Sequence, residues 1–294
     1  MQAIKMKRIL VPTDFSDCAM SALKVAAKIA EKTKSTISLV HTYELPLYGF
    51  TSGQLMYDGE QIGKIKQEIK AELQKIAHMD FIKKVKVEQF LLPDYSLDHI
   101  VDHDILKKSD LIVMGTHGAS GWSKDLIGSN TERIIRRAKC PVLTVREDKG
   151  NKFNPSNVVF ASSFYGEVYE QFPLIKTFAD LFGAKIHLLR VNTPTDFMTT
   201  PLSERIIKEF KDKFKLKDAT MNIFNDLTVE DGVINFAQRI KADLIAMETH
   251  GRTGVNHIIN GSIAEEVANN SGIPILTFRI KHPPPPAGVI FPEI

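Results

Sequence analysis

The sequence predicts an α/β fold of two tandem doubly wound domains, each on a five-stranded parallel sheet, and three observations carry that reading. The chain repeats itself. Lys108-Ser-Asp-Leu-Ile-Val-Met114 lies over Lys241-Ala-Asp-Leu-Ile-Ala-Met247, and Pro141-Val-Leu-Thr-Val-Arg146 over Pro274-Ile-Leu-Thr-Phe-Arg279, at a constant offset of 133. Short β-branched runs alternate with longer segments of helical period, the pattern of a parallel sheet covered by helices on both faces. Most of those runs are continuous Val, Ile and Leu, as in strands buried on both sides.

Taken in order, a strand is expected at about residues 8 to 13, ending at Asp14, with Ser16 as N-cap of a helix on which Met20, Leu23, Ala27 and Ala30 share one face. The second strand spans about 36 to 42. Proline and glycine then mark Glu44 to Gly59 as a mobile flap. Ile62, Ile65, Ile69, Leu73 and Ile76 define the next helix, and strands follow at about 85 to 91, 110 to 115 and 141 to 146. Upstream in the second copy the offset becomes 149, pairing Ile37-Ser-Leu-Val40 with Ile186-His-Leu-Leu189 and Ile9-Leu-Val-Pro-Thr-Asp-Phe15 with Val158-Val-Phe-Ala-Ser-Ser-Phe164. Its strands fall at about 157 to 162, 185 to 191, 219 to 224, 243 to 248 and 274 to 279, and its middle is about 16 residues shorter. Ser129-Asn-Thr-Glu132 and Ser262-Ile-Ala-Glu265 both spell a capping box for the last helix of each copy.

The charged, turn-forming stretch Glu147 to Pro155 separates a domain of residues 1–148 from one of 149–280. Residues 281–294, with His282-Pro-Pro-Pro-Pro286 and Val289-Ile-Phe291, read as a semi-rigid tail. At 294 residues each half is long enough to bury its own core. No apolar run approaches the ~18 residues of a membrane span, and the apolar segment after Lys5, Lys7 and Arg8 is too short for a signal peptide. Two isolated cysteines, Cys18 and Cys140, fit a reduced, cytoplasmic setting rather than a zinc ribbon or redox pair. Net charge is only +3, and the lysines are scattered along helices without interleaved aromatics, so no nucleic-acid surface is expected.

The chemistry concentrates in one loop. Gly115-Thr-His-Gly118, nine residues, then Gly128-Ser129 runs from the fourth strand into a helix N-terminus, at the carboxyl ends of the strands where doubly wound sheets bind ligands. Gly115 and Gly118 allow close backbone approach to a phosphate, and the helix that opens at Gly128-Ser129 offers free N–H groups and a positive dipole end. On the residues alone, the glycines equally serve to shape a turn and Ser129 to cap a helix. The second copy reads Glu248-Thr-His-Gly251, nine residues, Gly261-Ser262, so a carboxylate replaces the first glycine.

Ile9-Leu-Val-Pro-Thr-Asp-Phe-Ser16, the spacing Gly115-x2-Gly118-x9-Gly128-Ser129, and the closing Cys140-Pro-Val-Leu-Thr-Val145 resemble the universal stress protein family in its tandem form, over about 280 of 294 residues. The resemblance implies an adenine-nucleotide-binding fold of the adenine nucleotide alpha hydrolase-like type. It places Asp14 by the ribose or adenine, Val40 against the adenine edge, and Gly115, Gly118, Gly128 and Ser129 around the phosphates of ATP, with Asn130 adding a backbone N–H and Thr13, Met114 and His117 as further residues of the nucleotide site. Mg or Mn would ride on the phosphates without a protein cage. It also implies a stress-response regulator whose two domains pack as a pseudo-dimer through their last strands, with a homodimer and an unidentified regulatory protein as further partners.

In the second copy Ser163 aligns with Asp14 and Glu248 with Gly115. A carboxylate about 4 Å from a phosphate costs on the order of 4 kcal/mol at an effective dielectric near 20, roughly a thousandfold in affinity. Nucleotide is therefore expected in the first half only. Other readings stay open on the residues. Glu248, His250 and His257 could hold zinc, although that spacing has no established precedent and no cysteine joins it. Asp14 and His117 could support slow ATP hydrolysis, although no P-loop lysine motif is present. Pro283 to Pro286 could dock on an aromatic groove of a partner, making the chain an interaction protein without nucleotide.

Overall fold

The computed structural model describes residues 6–43, 47–51, 54–57, 59–93, 104–116, 128–147, 153–166, 168–250 and 263–280. The first half runs β1 (Arg8–Pro12), α1 (Asp17–Thr33), β2 (Thr36–Tyr43), β3 (Leu47–Thr51), β4 (Gln54–Tyr57), α2 (Gly59–Ala77), β5 (Val87–Pro93), α3 (Asp104–Lys107), β6 (Leu111–Gly115), α4 (Ser129–Arg137) and β7 (Val142–Val145). The second runs β8 (Asn157–Ala161), α5 (Val168–Phe182), β9 (Lys185–Asn192), α6 (Thr200–Lys213), β10 (Thr220–Asn225), α7 (Val229–Arg239), β11 (Leu244–His250), α8 (Ile263–Asn270) and β12 (Ile275–Ile280). All ten expected strands are present, displaced at their ends by two residues or fewer.

They form one sheet in the order β10-β9-β8-β11-β12-β7-β6-β1-β2-β5. Within this sheet every pairing inside a half is parallel. In each half the chain starts in the middle, at β1 or β8, moves outward, and returns to the other side of its first strand, which is the doubly wound pattern. The halves meet through β7 and β12 in an antiparallel pair, Ile275 opposite Thr144 and Thr277 opposite Val142. The carboxyl ends of the two sets of strands therefore point to opposite ends of the sheet.

The duplication persists in side-chain detail. The Asp110 carboxylate accepts from the N–H groups of Lys7 and Arg8 at 2.7 and 2.9 Å, fastening the start of β1 beside β6. Asp243, its counterpart, does the same for Ser156 and Asn157 at 2.9 and 3.0 Å. The packing of the halves differs. Ala22, Ala26, Ala27 and Ala30 bring α1 close onto the first half's sheet, whereas Phe160, Phe164, Phe172, Phe178 and Phe210 fill the same face of the second. Within the stretch from Glu44 to Gly59, expected as a flap, β3 and β4 form an antiparallel pair, which satisfies their backbone groups against each other.

Side chains clamp the seam. Thr144 Oγ1 donates to Ile275 O at 3.4 Å and Thr277 Oγ1, its repeat partner, to Val142 O at 3.3 Å. Arg136 on α4 forks onto Glu265 on α8, Nε to Oε1 at 2.5 Å and Nη2 to Oε2 at 2.6 Å, and also meets Glu132 at 2.5 Å. Glu265 is only 4% exposed. Both glutamates expected to close capping boxes are thus drawn to one guanidinium, whose charge attracts them more strongly than a neutral N–H. Arg146 adds a bond from Nη2 to the Asn269 carbonyl. Arg136→Ala would remove both guanidinium bonds from the buried Glu265 carboxylate, and a loss of about 3 kcal/mol is expected in urea unfolding. Adding Glu265→Met should recover most of it, which a merely cavity-forming effect of the first substitution would not allow.

Candidate functional site

The first half's crevice opens between the carboxyl ends of β1 and β6, where strand order reverses. Just past β1, Thr13 is buried; its N–H donates to the Val40 carbonyl at 2.8 Å and its Oγ1 accepts from the Phe15 N–H at 3.1 Å. This tight turn puts Phe15 at φ 66°, a left-handed conformation that a bulky residue keeps only when neighbours hold it. His41, at the end of β2, is such a neighbour. Its ring stacks on Phe15 with centroids 4.4 Å apart, and its Nδ1 lies 2.7 Å from the Thr13 carbonyl. A carbonyl only accepts, so Nδ1 carries the proton. Burial holds the imidazole below its ordinary pKa, against the opposing pull of the Thr13 carbonyl and the Asp14 carboxylate.

Asp14 stands exposed at the rim, its Oδ1 accepting from the Ser16 N–H at 3.0 Å and the Ser16 hydroxyl at 2.6 Å. Ser16 Oγ in turn accepts from the Ala19 N–H as the N-cap of α1, as the sequence predicts. One serine therefore fixes both the start of the helix and the orientation of the carboxylate. Neither Phe15 nor His41 is singled out by the sequence. The signal for them was the repeat alignment, which pairs Phe15 with Phe164, also left-handed at φ 62°, and His41 with Arg190.

From the other side of the crevice comes Gly115, the last residue of β6. A Cβ here would sit 2.8 Å from Cys18 Sγ and 3.0 Å from the Cys18 carbonyl carbon, so the first turn of α1 demands glycine whatever else binds. The Gly115 carbonyl accepts from Thr131 Oγ1 at 2.9 Å, and Gly128 N–H donates to the Thr116 carbonyl at 2.8 Å. Those two bonds pin the stem of the glycine loop; His117 and Gly118 lie outside the described residues. Gly128, not Ser129, is the N-cap of α4, its carbonyl accepting from Thr131 and Glu132 N–H. With the Gly128 amide engaged, the helix start presents the Ser129 and Asn130 amides, which have no intrahelical acceptor. Val40 and Met114 belong to one buried cluster with Leu10, Ile112, Ile134 and Ile135, an apolar floor beneath the crevice.

In the second half Glu248 takes the place of Gly115. Its Oε2 accepts from the Ser162 hydroxyl at 2.8 Å, and its Oε1 from both N–H and hydroxyl of Ser163 at 3.3 Å. In the turn that follows, Gly166, aligned with Asp17, stands at φ 64°, and α5 spans Val168–Phe182. Arg190 is buried in His41's place, with Nη1 3.4 Å from the Ser163 carbonyl and Nη2 3.4 Å from both Asp196 oxygens. Both Glu248 oxygens are thus turned toward the serine turn. The side chain of His250, and His257 altogether, lie outside the described residues.

Residues 5–146 and 174–279 match the universal stress protein family. The chain belongs to that family. It is 34% identical over 145 residues to a universal stress protein of Methanocaldococcus jannaschii, an alignment covering 49% of this chain and 84% of that protein. A universal stress protein of Synechocystis is 24% identical over 302 residues, covering 93% of this chain and 100% of its own length, so the relative spans both halves. Among solved structures, a universal stress protein of Archaeoglobus fulgidus superposes with a TM-score of 0.72 at 20% identity, covering 92% of this chain and 98% of that one. A Pseudomonas aeruginosa counterpart gives 0.61 at 18%, with 93% of each chain covered. These likenesses establish the tandem α/β fold of a universal stress protein.

Two outcomes follow for the paired positions. Gly115→Ala should lower stability by about 2 kcal/mol in chemical unfolding, because the new methyl meets Cys18 backbone as well as sulfur; Cys18→Ala should restore only part. Burial pushes the Glu248 carboxyl above its ordinary 4.5. A raised folded pKa means that its contribution is full below the unfolded value and is lost as pH rises through the folded one. Glu248→Gln should therefore gain stability relative to the unsubstituted protein as pH is raised from about 4 to about 8. A stability difference that stays constant across that range would contradict the raised pKa of Glu248.

Proposed function

We propose that this tandem universal stress protein binds ATP in its first half and acts as a cytoplasmic, stress-linked regulator, with a domain boundary near residues 148 and 149 and residues 281–294 as a tail. The single observation that carries this reading is the inequality of the two crevices: Gly115 leaves the first without a side chain at the end of β6, whereas Glu248 fills the second with a carboxylate held by Ser162 and Ser163. Asp14, oriented by Ser16, can accept from ribose hydroxyls or the adenine amine. Thr13, Val40 and Met114 form the wall and floor for the base, while Gly115, His117, Gly118, Gly128, Ser129 and Asn130 surround the phosphates, His117 and Gly118 by their place in the motif. Of these the Ser129 and Asn130 amides face an anion directly, aided by the helix dipole.

The helix-start amides and the Thr116 and Thr131 hydroxyls near Gly115 suit phosphate oxygens better than a bare cation. Mg or Mn would accordingly enter on the phosphates, where it neutralises their charge. A reducing compartment is supported by two free thiols, Cys18 buried and Cys140 pushed up to about 12 by burial.

Mass spectrometry of the small molecules released on denaturing protein purified without added nucleotide, followed by calorimetric titration of ATP into stripped protein, tests the proposal. One equivalent of adenine nucleotide is expected, and two equal sites or no binding heat would refute it. Asp14→Ala should weaken ATP about 10- to 100-fold, the worth of a hydrogen bond to a charged group, whereas Ser163→Ala should leave the titration unchanged.

A further inference from the structure

Four buried side-chain atoms lack a hydrogen-bond partner among the described residues, and three of them, Arg190 Nε, Asn192 Oδ1 and Ser203 Oγ, belong to one part of the second half. The three residues are 3%, 4% and 0% exposed. Arg190 and Asn192 stand two apart on β9, on the face where Leu188 packs with Ile206, Ile207 and Phe210 of α6. Ser203 lies on that same side of α6. The 193–199 turn joins them: Asn192 Nδ2 donates to the Met198 carbonyl at 3.0 Å, and the Ser203 N–H to the Thr199 carbonyl at 3.0 Å. A hydroxyl inside a helix commonly bonds the carbonyl four residues back, as Thr177 does with Pro173 at 2.8 Å, but the Ser203 hydroxyl does not. Neither a capping side chain nor an acid in its own first turn answers the positive end of α6. At His41 and Tyr43, aligned with Arg190 and Asn192, no buried side-chain atom is left in this state.

We propose that Arg190, Asn192 and Ser203 form a receptor for a small hydroxycarboxylate. This is not the second copy's version of the nucleotide crevice: Leu189 and Met247, aligned with Val40 and Met114, belong to the cluster on the opposite face of the sheet. Nε and Nη2 form one edge of the planar guanidinium, and such an edge matches the two oxygens of a carboxylate. On Arg190 the Nε is open, and Nη2 meets only Asp196, 46% exposed, at 3.4 Å from each oxygen. A ligand carboxylate supplies the missing Nε bond and takes the place of Asp196, which turns out to solvent. The Ser203 hydroxyl and the positive end of α6 add to the hold on the anion. Asn192 Oδ1 only accepts, so the ligand must also donate. A hydroxyl does so without setting a second cation beside Arg190.

Calorimetric titration and thermal unfolding of the full chain with glycolate, against acetate and chloride at matched ionic strength, test the assignment, with circular dichroism confirming that each variant is folded. Glycolate should bind at one equivalent and raise Tm. Acetate, which lacks the hydroxyl, should bind about tenfold more weakly, and chloride should do neither. Ser203→Ala removes a buried hydroxyl that has no partner, so the Tm of the protein without glycolate should hold or rise while glycolate binding weakens about tenfold. Arg190→Lys keeps the charge but loses the fork and should weaken glycolate by about tenfold or more. Asp196→Asn, which takes away the competing carboxylate, should tighten it. Added ATP should leave the glycolate titration unchanged. No response to glycolate, a response that chloride or acetate equals, or one indifferent to Ser203→Ala and Asp196→Asn overturns the receptor and leaves ordered water as the partner of these atoms. Displacement of glycolate by ATP overturns it as well, since the ligand would then sit in a nucleotide crevice.

Discussion

The antiparallel pairing of β7 with β12 is the constraint from which the remaining architecture follows. Each half alone would leave its last strand as a bare edge, with unpaired N–H and C=O groups along an apolar strand. Joined, Val142 to Thr144 and Ile275 to Thr277 are interior strands of one sheet, and the threonines on each side reach across to the other's carbonyls. Because the pairing is antiparallel, the two crevices open at opposite ends of the sheet. Arg136 ties the two halves beside that seam, since α4 begins at the glycine loop of the first half and its guanidinium ends on Glu265 in the first turn of α8.

The two crevices share a backbone and differ in what occupies it. Thr13 and Ser162 make the same hydroxyl bond to the N–H two residues on, and Phe15 and Phe164 take the same left-handed turn. At the end of the facing strand, one half has a glycine pressed against Cys18 and the other a glutamate bonded to the serine turn. In the first half the opening turn of α1 leaves no room for a side chain at Gly115, whereas in the second the Glu248 carboxylate occupies the hydroxyl and N–H groups of the serine turn. The glycine thus answers a packing need against Cys18, and under the proposed function it answers a binding need as well.

The order and type of the strands were legible in the residues because a strand buried on both faces must be a short, continuous β-branched run. Such a run taken singly can equally be part of a buried helix, and its repetition at a fixed offset, as in Leu111 to Met114 and Leu244 to Met247, removes that ambiguity. The family match and the unequal second copy were legible for the same reason, since Gly115 and Glu248 align without a gap. Ser16 as a cap could be read because its bond is local, to Ala19 three residues on.

Contacts between residues far apart in the chain could not be read this way. That His41 holds the Thr13 turn, that Gly115 is required by Cys18, and that Glu132 and Glu265 answer to Arg136 and not to their own helix ends all depend on which strands become neighbours. Local sequence encodes periodicity, turns and caps, whose partners lie within a few residues. Tertiary structure decides the rest, because a buried charge or a close approach is defined by what the folded chain brings to it from a hundred residues away.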